Sequence, residues 1–270
     1  MIFERKFPEN IVPTVSIFYI NLERRKNRRA AMEQQFQSLG LKAHRVVACD
    51  GNLLSDQQSK QCDQSKRYSR FDAAMTNNEI ACFLSHKDVW LQVKKTNKPA
   101  LILEDDVFIS DEIKTILKDL IQKTEKIDFV RFGGARIRPA LPVCRLSPNR
   151  VLYLMTSGCC GSHAYFITPE GAGELLEATQ TFNVAVDIFL DYYWAQKGAT
   201  YAILPWPITL DAEAQYSTIG SERQYLERRI RKSYAANVSL RRWMLRQRRS
   251  LIKFGWGIKA LSLWIFKKKI

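Results

Sequence analysis

The sequence predicts an α/β protein in which helices flank a mostly parallel sheet, followed by a basic, amphipathic helical tail. Three features predict it: strand-like runs alternate with helix-periodic ones, one apolar run is continuous, and the charge is unevenly divided. Fifteen of the 42 lysines and arginines fall in residues 223–270 beside a single acid, Glu227, while the first 222 residues are nearly neutral. The expected division is a globular domain over 1–222 and a helical tail over 223–270. With 46% hydrophobic residues, the chain can bury a sizeable core and is too apolar for disorder.

Val15 to Ile20 is a β-branched and aromatic run ending at Asn21, and predicts the first strand. A helix over 26–39 follows, because Met32, Phe36 and Leu39 share a face and Gly40 stops it. Arg45–Ala48 reads as a short strand leading into the Asp50-Gly51 turn, and 52–77 as an irregular polar loop. Asn77 or Asn78 is the expected cap of a helix reaching about Lys95, with Ile80, Phe83, Leu84, Trp90 and Leu91 as its buried side. Ala100–Leu103 is the continuous apolar run, a strand covered on both faces. Ser110 or Asp111 should cap a helix over 112–123. Further strands are expected at 128–132, 163–168 and 200–205, with helices near 170–178 and 186–197.

Several classes are excluded by what the sequence lacks. There is no glycine-rich GxGxxG or GxxxxGKS loop, which disfavours dinucleotide dehydrogenases and P-loop nucleotidases. The six cysteines include no CxxC pair, so reduced thiols in a cytoplasmic protein are expected. No signal peptide and no membrane-spanning run of about 18 apolar residues is expected either.

The chemistry concentrates at Glu104-Asp105-Asp106, directly after the buried strand. Ligands of open α/β sheets bind at the carboxyl ends of strands. Three adjacent acids repel one another unless a cation or a dense hydrogen-bond network sits among them. Carboxylate oxygens suit Mn²⁺ or Mg²⁺, which keep positions open for phosphate oxygens. The competing reading is that these acids merely cap the next helix or face solvent.

The cluster belongs to a longer series of blocks. Ile17–Arg24 with Arg28 and Arg29, Val47–Gly51, Asn78–His86, Leu101–Val107, Phe132–Gly134, Gly161–Ile167 and Val186-Asp187 occur in order over roughly 15–220. Together they resemble glycosyltransferase family 25, which includes bacterial lipooligosaccharide glycosyltransferases and is related to collagen galactosyltransferases. The resemblance implies a GT-A-like nucleotide-diphospho-sugar transferase fold, a UDP-sugar donor (UDP-galactose most often) and a divalent metal. Glu23 stands where Asp is more usual and Ser162 where Thr is common, departures that keep the functional groups.

Candidate roles follow. Asp106, helped by Glu104, would hold the metal, and Asp105 would join the donor contacts. Asn21 and Arg24 lie where a base or ribose would be bound, and Arg28 offers charge to a diphosphate. Asp50 would bind ribose or simply shape its turn. Glu79, Cys82 and His86 share one helix face with Ser85 beside them, placed to hold the donor or support the metal loop. His163, after a loop of small residues, is a candidate for sugar, metal or phosphate contact. Asp187 is the first candidate for the base that deprotonates the acceptor hydroxyl in an inverting transfer, with Asp211 or Glu213 in reserve.

In the tail, Trp243, Met244, Leu251, Phe254, Ile258, Leu261 and Ile265 recur every three or four residues among arginines and lysines. Trp256, Trp264 and Phe266 read as interfacial aromatics. Such a helix suits anionic lipid headgroups. The expected protein is peripheral on the inner face of a bacterial cytoplasmic membrane, with a lipid-linked oligosaccharide acceptor and no nucleic-acid partner. The stripe could instead pack on the domain or a second subunit, leaving a homodimer open. A non-catalytic sugar-binding or scaffolding relative, and a nucleic-acid-binding protein using the tail, are the alternatives from other functional classes.

Overall fold

An eight-stranded sheet organises the chain. The structure is a computed structural model describing residues 15–63, 74–124, 127–197, 200–211 and 254–265. Its strands are β1 (Ser16–Asn21), β2 (His44–Val47), β3 (Ala100–Glu104), β5 (Phe129–Arg131), β6 (Ala140–Ser147), β7 (Arg150–Met155), β8 (Ala164–Ile167) and β9 (Tyr201–Leu204). Their order across the sheet is β2-β1-β3-β8-β5-β9-β7-β6, and six of the eight point the same way; only β8 and β7 oppose them. The mixed, mostly parallel sheet is the one expected.

Alternation along the central strands shows why they sit there. Ile17, Leu101, Leu103, Ala164 and Phe166 face one core, which α1 (Lys26–Ser38) and α4 (Ile113–Lys123) cover. Phe18, Ile20, Ile102, Tyr165 and Ile167 face the other, beneath α3 (Asn77–Thr96), α5 (Pro169–Ala178) and α6 (Val186–Lys197). Leu101, Ile102 and Leu103 are wholly buried. At about 1.5–3 kcal/mol per large apolar side chain, such burial selects this strand as the centre.

Some expectations need correction. The cap of α3 is Thr76, not Asn77 or Asn78: its hydroxyl accepts from the Glu79 N–H while the Glu79 carboxylate accepts from the Thr76 N–H. The stretch expected as loop holds a 3₁₀ turn at Gly51–Leu53 and the short helix α2 (Asp56–Ser59). Residues 64–73 of that stretch lie outside the described residues. The β6–β7 hairpin was not foreseen. Nor was a ribbon pairing β4 (Val107–Ile109) with β10 (Ile208–Leu210), which brings Asp211 N–H within 2.9 Å of the Asp106 carbonyl. Of the expected tail, 254–265 forms a helix, α7, and 223–253 and 266–270 lie outside the described residues. Among the described residues no helix is long and apolar enough to cross a membrane.

Candidate functional site

The parallel strands β1 and β3 end side by side, with Ile20 opposite Glu104. Because β8 runs the other way, its beginning meets the same edge, and the Glu104 N–H donates to the His163 carbonyl at 2.9 Å. With α3 above and the start of α1 beside them, these ends wall a cleft of about 790 Å³. That volume falls in the range of ligand sites, about 300–1,000 Å³. Arg24, Arg28, Cys82, Ser85, His86, Glu104, Asp105, Asp106 and Asp211 all line it.

The three acids occupy different environments. Asp105 is braced, accepting from Asn21 Nδ2 at 2.7 Å and Arg28 at 3.0 Å. Asp106 takes the same guanidinium at 3.0 Å through Oδ2, but its Oδ1 is buried with no hydrogen-bond partner among the described residues. Burial, with the Glu104 charge adding to it, pushes the Asp106 carboxyl well above the usual carboxylate range despite Arg28. Glu104 goes the other way. Burial alone would raise it, yet His86 and the Ser162 hydroxyl, 2.6 Å away, hold it well below that range. The cluster is short of positive charge.

Behind Glu104 runs a buried polar chain. The Trp90 indole donates to the Tyr165 hydroxyl at 2.8 Å, and that hydroxyl meets His86 Nδ1 at 2.8 Å. An indole N–H can only donate, so the Tyr165 hydroxyl accepts from it and can send its own proton to Nδ1. The other ring nitrogen, Nε2, faces Glu104 Oε1 at 3.5 Å. His86 thus orients the carboxylate. Cys82 completes a group in which one ligand-type atom each from Cys82, His86 and Glu104 lies within 4.8 Å of the others. Burial, then the Glu104 charge, raises the Cys82 thiol well above its ordinary range, so it stays protonated.

Opposite lies the loop 157–163. Arg131, fully buried on β5, donates to Asp191 Oδ1 at 2.8 Å and to the Gly161 carbonyl. Asp191 Oδ2 in turn accepts the Cys160 N–H at 2.8 Å. This brace seats His163, whose ring packs so closely that a Cβ at Gly133 would fall 2.3 Å from its Nε2. Burial lowers the His163 pKa, which keeps the ring neutral.

The residues singled out from sequence divide accordingly. Arg24, Arg28, Ser85, His86, Glu104, Asp105 and Asp106 meet at the cleft. Asn21 does not offer itself to a ligand: Nδ2 serves Asp105 and the Arg25 carbonyl, and Oδ1 accepts from Arg45. Asp50 shapes its turn by accepting the Asn52 N–H and pairs with Arg24. Glu79 closes the α3 capping box, and Ser85 is tied to the Ala81 carbonyl and the Cys49 N–H. His163 and Asp187 are not among the residues lining this cleft, although the Asp187 charge reaches Cys82 and Arg131. Asp211, the reserve base, does line it. Arg131 was missed; the available signal was a charged residue inside the apolar run Phe129–Phe132.

Known proteins resemble this chain over most of its length. The model of a family described as Glycosyltransferase family 25 (LPS biosynthesis protein) matches residues 14–190. A Glycosyltransferase 25 family member of Drosophila melanogaster is 31% identical over 197 residues, covering 69% of this chain and 32% of its own length. Procollagen galactosyltransferase 2 of Mus musculus is 30% identical over 171 residues, 60% of this chain and 27% of that protein. A protein of Rattus norvegicus named Probable inactive glycosyltransferase 25 family member 3 is 28% identical over 222 residues, 77% of this chain and 38% of its own. The chain spans about a third of the length of these relatives.

Proposed function

The chain belongs to glycosyltransferase family 25, and on that premise we propose that it transfers a hexose, galactose first, from a UDP-sugar to a lipooligosaccharide acceptor. The observation that carries this reading is the acid cluster at the tip of β3, inside a cleft of ligand size and short of positive charge. The unpartnered, buried Asp106 Oδ1 fits a hard divalent ion, Mn²⁺ or Mg²⁺, with Glu104 as second ligand. When bound, such an ion supplies charge against a departing diphosphate.

The chain's own residues do the rest. Arg28, already aligned by Asp105, and Arg24 offer guanidinium groups to the diphosphate. His86 and Ser162 hold Glu104 ionised and oriented. An inverting displacement needs a base facing the acceptor, and Asp211 lines the cleft where Asp187 does not, so we assign it that role and keep Asp187 second. Glycan acceptance on a lipid fits the basic residues of 223–270, and the six free cysteines fit a reducing compartment, the cytoplasmic face of the membrane.

Two observations favour a non-catalytic reading: Arg28 already pairs with Asp105 and Asp106, and one relative carries an inactive designation. A screen of nucleotide sugars, scored by nucleoside diphosphate release with Mn²⁺ and with chelator, separates the two. Metal-dependent release from UDP-galactose is expected. Binding of UDP-sugar without release under any condition would favour the sugar-binding relative.

A further inference from the structure

Helix α7 is apolar on two opposite faces, and among the described residues only one of them is covered. The inward face is well seated. Ala260 is 3% exposed in the core on the α1 and α4 side of the sheet, with Leu263 and Trp264 packed against that core. The Trp264 indole donates to the Pro142 carbonyl of β6 at 2.8 Å, and Trp256 meets Tyr192 of α6 edge-on at 5.1 Å. Lys259 reaches the Gln196 carbonyl at 2.6 Å and anchors the helix to the end of α6. Both tryptophans read from sequence as interfacial are therefore spent on holding the helix to the domain.

The outward face holds Phe254, Ile258, Leu261 and Ile265, exposed by 69%, 55%, 46% and 43%. Their spacing places them on one stripe along the helix. A globular protein seldom leaves an apolar row in water, and a helix apolar all round normally has both sides buried. The flanking sequence indicates what covers this one. Residues 223–270 hold fifteen lysines and arginines, among them Lys267, Lys268 and Lys269, against the single acid Glu227. A sequence that joins these apolar side chains to unbalanced positive charge matches a surface that is apolar beneath and negative above.

We propose that the outer face of α7 is a monotopic docking surface for an anionic lipid bilayer, inserting Phe254, Ile258, Leu261 and Ile265 among the acyl chains while cations of the flanking sequence meet the headgroups. The surface is fixed to the domain through Trp264, Trp256 and Ala260, so docking places the whole enzyme at the membrane in one orientation. It stands apart from the transfer reaction. Loss of catalysis would leave it untouched, and loss of docking would leave hydrolysis of a soluble donor untouched.

The test uses the full chain without donor or metal. Co-sedimentation is measured with vesicles of phosphatidylglycerol and phosphatidylcholine, and with phosphatidylcholine alone. The parent is compared with a variant carrying Phe254→Gln, Ile258→Gln, Leu261→Gln and Ile265→Gln. These side chains are exposed, so the variant should keep the parent's thermal midpoint; Ile258→Gln alone repeats the test at smaller amplitude should it not. Binding to the anionic vesicles, weakened by salt and reduced at least about tenfold in the variant, is the expected result. Absence of binding by the parent, or equal binding by parent and variants, overturns the proposal. So does a parent that self-associates in light scattering through this stripe without partitioning to vesicles, for the cover would then be a second copy.

Discussion

Arg28 illustrates how the site is balanced residue by residue. Its one guanidinium is shared by Asp105 and Asp106, 77 and 78 residues away, and no local pattern announces such a contact. The acids themselves were legible because they follow a continuous apolar strand; their counter-charge was not. Arg131 and Asp191 repeat the lesson in the interior. Removing one member of a buried pair strands the other, at about 3–5 kcal/mol. Arg131→Met should therefore lower urea-denaturation stability by about that amount. Combined with Asp191→Asn it should cost less than the sum of the two single changes; strict additivity would mean the brace is not coupled. His163 gives a pH signature. Its folded-state pKa lies below its ordinary 6.5, so protonation favours the unfolded chain. Its contribution is complete above pH 6.5 and lost as pH falls through the folded value. His163→Gln should flatten the fall in thermal midpoint below pH 6.5 relative to the parent. An unchanged slope would show that the ring is not held neutral by burial.

At the scale of elements, α3 carries Cys82, Ser85 and His86 to the cleft, and its start is set by the Thr76–Glu79 box. Thr76→Ala should cost about 0.5–2 kcal/mol in stability and, by fraying the first turn, shift the Cys82–His86 face. Unaltered stability would show that the Thr76–Glu79 box does not set the start of the helix. The cap was placed one or two residues late from sequence because two asparagines, both good capping residues, follow Thr76. The β6–β7 hairpin escaped notice for a different reason. Register shifts between Pro142 and Cys144, and between Arg145 and Ser147, spoil the two-residue alternation that marks a strand. The three-residue strands β4 and β10 are too short to show any period, yet their pairing is what brings Asp211 to Asp106. If Asp211 is the base, Asp211→Asn should lower kcat by about 10²–10⁴ with KM for the donor little changed, and Asp187→Asn much less. The reverse order would return the role to Asp187.

For the whole molecule, the sheet order brings elements distant in sequence to one edge. β1 and β3 deliver Asn21 and the acids, antiparallel β8 delivers Ser162 and His163, and the β4–β10 ribbon delivers Asp211. Strand identity and order of helices could be read from periodicity. The reversal of β8 could not, since an antiparallel neighbour leaves the same apolar strand pattern as a parallel one when both faces are buried. The account's central claim is that the oxygens at the tip of β3 hold a divalent ion for the release of a nucleoside diphosphate. UDP release from UDP-galactose, measured with Mn²⁺ for the parent and for Asp106→Asn, tests it most directly. The prediction is release in the parent that disappears with chelator and falls at least about 10²-fold in Asp106→Asn, at an unchanged thermal midpoint. Release at the parental rate in that variant, or in chelator, would contradict it.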